Sequence, residues 1–383
     1  MKIGIDARIL AHPKCGISTY ISNLVTNLLT LDSDLKIFLF SDSEFHSSHE
    51  KISSLDRVTK VIFASSKKEK KHWAQKFLPQ KLREYQIDIY HATWNNAVPF
   101  FRRCPCILTI HDLAPWILGS HFKNKRKEIR YKLRQFFCAH WADFIITDSK
   151  ASEKDIVRLC KVKENKIDVI YLGVNEEFVE DVDESIKEQA LLSYNLLGKN
   201  YIIDPLGIDH PRRNAIFVLE GFFEILRRGF DFYLVYTGNF YREGIQFQSL
   251  LRRIKELDIQ NRVVITGWVP TDVLKVLLRN AYVSVIPSLY EGFGLPILES
   301  FASGVPVIAT NRGSIPEVVG DAGILVDAYN FRDLADRVEE IIRKDGLRKE
   351  LIEKGKERVK LFSWKSTAIN TLNVYKRILS KYK

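Results

Sequence analysis

Short apolar runs alternate with amphipathic stretches along almost the whole chain. In the first half the runs fall at 2–5, 36–40, 58–63, 87–91, 106–111, 144–147 and 166–171, and in the second at 201–204, 232–237, 263–267, 283–287, 307–310 and 323–326. Runs this short, bounded by turn residues, read as strands. The stretches between them carry apolar residues at helical spacing, as in Phe217, Leu219, Phe222, Phe223 and Leu226, or Leu274, Leu277 and Leu278. Such alternation predicts parallel sheets covered by helices, an α/β class. The segment 174–197 breaks the rhythm with Glu176, Glu177, Glu180, Asp181, Asp183 and Glu184, and reads as a linker and an incoming helix.

Composition narrows this only a little. The length of 383 residues suits two domains, and 46% hydrophobic with 27% charged residues is an ordinary globular balance. No run approaches the roughly 18 apolar residues of a membrane span, and Asp6 and Arg8 interrupt any signal-type segment, so a cytoplasmic protein is expected. The five cysteines, Cys15, Cys104, Cys106, Cys138 and Cys160, are odd in number and lack a second zinc-type pair, which leaves them as small core residues. A net charge of +11 points to an anionic partner without choosing among nucleic acid, membrane and a phosphate-bearing substrate. No nucleic-acid motif accompanies the charge, so no nucleic-acid partner is expected. Basic clusters stand at 67–71 and 123–127 and near the C-terminus, and Trp73, Phe77 and Leu78 follow the first. A surface resting on anionic headgroups at the inner face of the membrane and a merely solvated basic face both fit that mixture.

The chemistry is sought after the strands, because ligands of doubly wound sheets bind beyond the strands' carboxyl ends. Glu291 and Glu299, eight positions apart, bracket a glycine loop that opens a helix at Leu295 and Pro296, with Gly304 marking its end. Gly292 and Gly294 permit close approach, and the amides of residues 294–297 form an anion site suited to a diphosphate. Glu299 is then placed for ribose hydroxyls and Glu291 for sugar hydroxyls. A dinucleotide fingerprint would need glycine at 297, where Ile297 stands. Arg212 and Arg213 follow the strand 201–204 and can clamp the diphosphate. In the first half, His111 and Asp112 follow the strand 106–111, and His91 stands at the end of 87–91, with a satisfied structural histidine as the competing reading of both. The loop 11–18, with Gly16, Ile17 and the following Tyr20, is equally a tight turn or a binding loop.

Glu291-Gly292-Phe293-Gly294-Leu295-Pro296-Ile297-Leu298-Glu299 resembles the E-x7-E signature of the family-four retaining glycosyltransferases. The resemblance implies the GT-B fold: two facing Rossmann-like domains with a C-terminal helix crossing back to the N-terminal domain. It divides the chain into an acceptor-binding domain at 1–182, completed by 364–383, and a nucleotide-sugar-binding domain at 183–363. It implies that His111, Glu291 and Arg213 are catalytic. It assigns the donor to Arg212, Arg213, Gly267, Trp268, Val269, Glu291, Gly292, Phe293, Gly294, Leu295 and Glu299, and the acceptor or phosphate loop to Gly16, Ile17, Tyr20 and Asp112. The sequence departs from the family in carrying Arg213 where lysine is usual and Ile208 after Gly207, where glycine or arginine is usual. No DxD-type element is present in the right context, so no metal is expected, and the nucleotide sugar is a co-substrate. Gly-Ile-Asp-Ala-Arg near the N-terminus and the His-Asp-Leu element look most like bacterial polysaccharide mannosyl- and rhamnosyltransferases. That implies GDP-mannose as donor, with UDP- and dTDP-sugars as alternatives, and a saccharide or lipid-linked saccharide acceptor. A non-catalytic relative serving as partner or scaffold and a GT-B sugar-nucleotide epimerase are the rival readings.

Overall fold

The computed structural model describes residues 1–63, 72–95, 98–119, 122 and 124–382. The lysines at 67–71, Lys123 and Lys383 lie outside the described residues. Among the described residues thirteen strands form two sheets. The first contains β1 (Lys2–Asp6), β2 (Lys36–Ser41), β3 (Val58–Ile62), β4 (Ile89–Ala92), β5 (Cys106–Thr109), β6 (Phe144–Thr147) and β7 (Ile167–Val169), in the order β3-β2-β1-β4-β5-β6-β7. The second contains β8 (Tyr201–Asp204), β9 (Tyr233–Thr237), β10 (Val263–Gly267), β11 (Val283–Ile286), β12 (Val307–Thr310) and β13 (Ile324–Val326), in the order β10-β9-β8-β11-β12-β13. Every pairing is parallel. The predicted runs therefore all fall on strands. Parallel strands covered on both faces need apolar residues at consecutive positions, and β4, β5, β6, β8, β11 and β12 are buried throughout. The outer strand β3 exposes Thr59 and Lys60.

In each sheet the winding reverses beside its first strand, between β1 and β4 and between β8 and β11. Chain leaving these strands at their carboxyl ends diverges to opposite faces and opens a crevice there. Two compact units result: Met1–Gly173 with Ser363–Lys383, and Val174–Phe362. The break thus falls at Gly173, not at 182 as expected. Phe178 is buried in one cluster with Ala190, Leu191, Leu196 and Val276, and Arg279 binds Asp181 Oδ1 at 2.8 Å and Val179 O at 2.8 Å. These contacts hold the acidic stretch in the second unit. The last helix, Trp364–Ser380, belongs to the first unit as expected, with Thr367 Oγ1 donating to Tyr171 O at 2.7 Å and the Trp364 ring 6.4 Å from that of Tyr20.

The basic-aromatic segment before Leu78 is corrected in its apolar part. Trp73 is fully buried, stacked on Phe63 at 5.4 Å and covered by the Arg8 guanidinium 4.2 Å from its ring, and Leu78 is also fully buried. Both side chains fill the core beside β2 and β3 and present nothing to a lipid surface. Cys104, Cys106, Cys138 and Cys160 are buried free thiols, in keeping with small core residues.

Two features carry consequences for stability. A Cβ on Gly173 would lie 2.1 Å from Trp364 N and 2.6 Å from Ser363 C, both backbone atoms, whereas one on Gly16 would meet nothing within 4 Å. Asp204, at the end of β8, accepts from Leu206 N at 3.0 Å through Oδ1, while its buried Oδ2 has no hydrogen-bond partner among the described residues. Burial pushes this carboxyl up to about 7, against the pull of the Leu206 amide and Arg213. Gly173→Ala is expected to destabilise by about 1–3 kcal/mol through backbone displacement, and Gly16→Ala to stay within about 0.5 kcal/mol of wild type, as read by thermal or denaturant unfolding. For Asp204 the folded state holds its proton to a higher pH than the unfolded chain. Its stabilising contribution is complete below the unfolded pKa of about 4 and is lost as pH rises toward 7. Asp204→Asn is expected to flatten the fall of unfolding free energy across that window; an unchanged slope would show that Asp204 does not carry it.

Candidate functional site

The glycine loop of the second unit lies where the switch between β8 and β11 places it. Gly294 adopts φ 102°, and a Cβ there would sit 2.9 Å from Ile297 Cδ1. This left-handed residue turns the chain into the helix Leu295–Ala302, with Pro296 in its first turn. Of the four amides expected to face an anion, Pro296 has none, and Ile297 donates to Gly294 O at 3.0 Å. The amides of Gly294 and Leu295 remain. Phe293 is buried and meets Phe362 edge-on at 5.8 Å, anchoring the loop. Ser314, also buried, donates through Oγ to Glu291 O at 3.0 Å and Phe293 O at 2.8 Å. Gly313 beside it is required, since a Cβ would lie 2.6 Å from Glu291 O. Glu299 is half-buried one turn into the helix.

Glu291 is itself buried, and its Oε1 accepts from Arg213 Nη1 at 2.8 Å and Ser288 Oγ at 2.6 Å. Burial alone would raise its pKa. The guanidiniums of Arg213 and Arg212 and the Ser288 hydroxyl outweigh burial and hold the carboxyl below its ordinary range. The two residues assigned separately to sugar and phosphate are therefore paired with each other. Arg213 reaches Glu291 from a short turn, Pro211–Arg213, that is fixed from below. Asn214, at φ 56°, donates to Pro287 O at 3.2 Å and Ala328 O at 2.9 Å, and Leu289 N donates to Arg212 O at 2.8 Å. Gly207 passes so close to Asn239 that a Cβ would lie 2.5 Å from Asn239 O. The unusual Ile208 after it turns its side chain into the core. At the end of β10, Gly267 takes φ 75°, and just beyond it Trp268 is 57% exposed, while the Val269 side chain is buried. Val269 can therefore offer only its main chain to a ligand.

In the first unit, His111 stands just beyond β5, and both ring nitrogens are engaged: Nδ1 with Asp148 Oδ2 at 2.6 Å, Nε2 with Thr93 O at 3.1 Å. A carbonyl only accepts, so Nε2 carries a proton. Burial opposes charge on the ring, but Asp148 outweighs it and raises the His111 pKa, while burial also pushes the Asp148 carboxyl up against the pull of His111. Tyr20 packs edge-on against His111 at 5.1 Å and bonds Thr109 Oγ1 at 3.3 Å, and it is 1% exposed. This corrects its place in an acceptor loop: Tyr20 is a core residue behind the histidine. Gly16 is exposed and Ile17 half-buried at the start of the helix Gly16–Leu31. Asp112 Oδ1 accepts from Ala114 N at 2.9 Å and so begins the short helix Ala114–Leu118. His91 follows the structural reading. Its nitrogens bond Tyr375 OH and Thr109 Oγ1, each at 2.6 Å, and burial pushes its pKa down to about 3, helped by His111.

Sequence reasoning missed Asp148, Thr93, Ser288 and the supporting role of Asn214. The first three had a signal in plain view. Each stands directly after, or one residue beyond, a predicted strand end, where the rule that found His111 applies equally. Among the described residues no three His, Cys, Asp or Glu form a group that could hold a metal.

Comparison with known proteins bears on the family and the fold. Residues 15–178 match the family model "Glycosyltransferase Family 4", and residues 206–358 match "Glycosyl transferases group 1". The O-antigen chain mannosyltransferase B of Escherichia coli is 27% identical over 98% of this chain and all of its own. An MMP alpha-(1->4)-mannosyltransferase of Mycolicibacterium hassiacum is 29% identical over 62% of this chain and 54% of its own. Among solved structures, Anabaena HepE in complex with UDP-glucose superposes with a TM-score of 0.81 at 17% identity, over 98% of this chain and all of HepE, which is a likeness of fold. With a family-four domain in its first unit, a group 1 domain in its second and the paired Rossmann-like sheets of the GT-B class, the chain belongs to the family-four glycosyltransferases.

Proposed function

We propose that the protein transfers a hexose, mannose in the first instance, from a nucleoside diphosphate sugar to a saccharide or lipid-linked saccharide in surface polysaccharide synthesis, with retention of anomeric configuration. The observation that carries this reading is the Arg213–Glu291 pair beside the N-terminus of the helix Leu295–Ala302. A diphosphate meets there a guanidinium pair, two amides and the positive end of a helix. Mannose as the sugar is supported by the mannosyltransferases among the relatives, and GDP-mannose is the donor we assign to it. As the bond from the anomeric carbon to phosphate oxygen breaks, negative charge grows on the leaving phosphate, and Arg212, Arg213 and the Gly294 and Leu295 amides stabilise it. The acceptor hydroxyl oxygen bonds to the anomeric carbon on the same face, and its proton passes to the departing phosphate. Glu291 orients Arg213 and accepts from sugar hydroxyls; Glu299 binds ribose. Trp268 lies by the base. The first unit supplies the acceptor side, where Asp148 and Thr93 fix His111. No step in this scheme uses a metal. No helix among the described residues is long and apolar enough to cross a membrane. A lipid-linked acceptor would bring the protein to the inner face of the membrane from the cytoplasm.

Purified protein assayed with GDP-mannose, UDP-glucose, UDP-N-acetylglucosamine and dTDP-rhamnose is expected to bind and slowly hydrolyse one donor, GDP-mannose, with no loss in EDTA. Arg213→Ala should lower the rate by roughly 100- to 1000-fold, the usual loss for one donor to a developing charge, with Arg213→Lys between it and wild type. Glu291→Gln, which keeps a hydrogen-bond acceptor but not the charge, should loosen Arg213 and cost less than Glu291→Ala. Failure to bind any donor would overturn the transferase reading in favour of a non-catalytic relative. For the first unit, Asp148→Asn removes the charge that raises His111 and leaves the burial that lowers it. The His111 pKa, followed by NMR of the imidazole, should fall from its wild-type value. An unchanged pKa in the variant would show that Asp148 is not the cause.

A further inference from the structure

The helix Lys125–Trp141 packs on the first unit through Gln135, Cys138 and Ala139 alone among its fully buried residues. At 100° per residue, the face directly opposite carries Ile129, Leu133, Phe137 and Trp141, each four positions from the last. Soluble helices put polar groups there. These four side chains are 57%, 53%, 47% and 47% exposed. The stripe continues past the helix. The Trp141 ring packs at a tilt, 4.9 Å from that of Phe100, and donates through Nε1 to Phe100 O at 3.1 Å, and the residue after Phe100, Phe101, is 80% exposed.

The charges around this stripe are of one sign. Arg126 and Arg130 project within the apolar sector, and Lys125, Lys127, Lys132 and Arg134 lie on its flanks. The helix has one acid, Glu128, set off the outer face and bound to Lys132 at 2.5 Å. An apolar stripe with a tryptophan at its end and cations along both margins is the pattern of a helix lying in a bilayer interface. A second copy of the chain fits it poorly. A two-fold contact would bring Arg126 and Arg130 against their own duplicates with no carboxylate between them.

We propose that this face, the helix Lys125–Trp141 with Phe100 and Phe101, is a docking surface for an anionic lipid bilayer. The apolar stripe enters among the acyl chain ends, and the lysines and arginines meet lipid phosphates. The proposal takes up the membrane part of the proposed function and is independent of donor and reaction. It differs from the sequence-based expectation in place, since Trp73 and Leu78 are core residues.

Co-sedimentation with vesicles tests it, using the full chain. Wild-type protein is expected to sediment with phosphatidylcholine vesicles containing phosphatidylglycerol, to release as salt is raised, and to stay in solution with phosphatidylcholine alone. The double variants Leu133→Ser with Phe137→Ser, and Arg126→Gln with Arg130→Gln, should each lower partitioning by about tenfold or more. Lys354→Gln with Lys360→Gln, equal in charge lost but located in the second unit, should leave it unchanged. All the substituted side chains are at the surface, so unfolding curves should match wild type. Equal losses in all three charge and stripe variants, equal binding to both vesicle types, or binding to neither would overturn the proposal. So would a concentration-dependent dimer in light scattering that the Leu133→Ser, Phe137→Ser variant abolishes. Transfer to a soluble acceptor is measured in parallel, so that loss of docking and loss of activity are told apart.

Discussion

The contact between Arg213 and Glu291 is the constraint on which the second unit's site depends. A carboxylate removed from water costs several kcal/mol unless an opposite charge and further hydrogen bonds accompany it. Here a guanidinium and the Ser288 hydroxyl both meet one oxygen of Glu291. The two charged residues are 78 positions apart, one leaving the turn beyond β8 and the other leaving β11, so the pair locks together two loops on either side of the switch point. Everything nearby serves to hold their backbones. Asn214 fixes the arginine's turn, and Ser314 and Gly313 fix the glutamate's loop from behind. The helix that follows inherits its direction from this arrangement.

The first unit repeats the logic with different chemistry. His111 also sits at a strand's carboxyl end, is also buried, and has its pKa raised chiefly by one neighbour, Asp148. Behind it the hydroxyls of Tyr20, Thr109 and Tyr375 and the neutral ring of His91 form a buried chain of hydrogen bonds that reaches the last helix. Two histidines on neighbouring strands of the sheet are thus shifted in opposite directions. One faces a carboxylate and the other faces hydroxyls, and burial acts on both.

Strand positions were legible because each strand is apolar at consecutive residues and flanked by turns. The loop at Glu291 was legible because glycine spacing and a following proline leave few backbone paths. What the sequence hid was direction. Tyr20, Val269 and Trp73 sit in stretches that read as binding or surface, and only the packed structure shows that their side chains turn inward. The helix Lys125–Trp141 shows the converse: its isoleucine, leucine, phenylalanine and tryptophan have the spacing of a core-facing stripe yet point away from the core. Periodicity identifies a face and cannot say which side it meets. The boundary at Gly173 was missed for a related reason, since an acidic stretch resembles a linker until Arg279 and the Phe178 pocket claim it.

The bare glycine at 173 has one more implication. Its backbone runs against that of Ser363 and Trp364, and on the next residues Val174 N donates to Phe362 O at 3.4 Å. The chain therefore leaves the first unit and re-enters it at adjoining points, and the second unit begins and ends at one place. In covalent terms the second unit is an insert with touching ends. Joining the ends left by its removal would close only a short loop, for which the entropy is small. A module bounded in this way can be exchanged for another, by recombination or by hand, without re-threading the half of the protein that receives it.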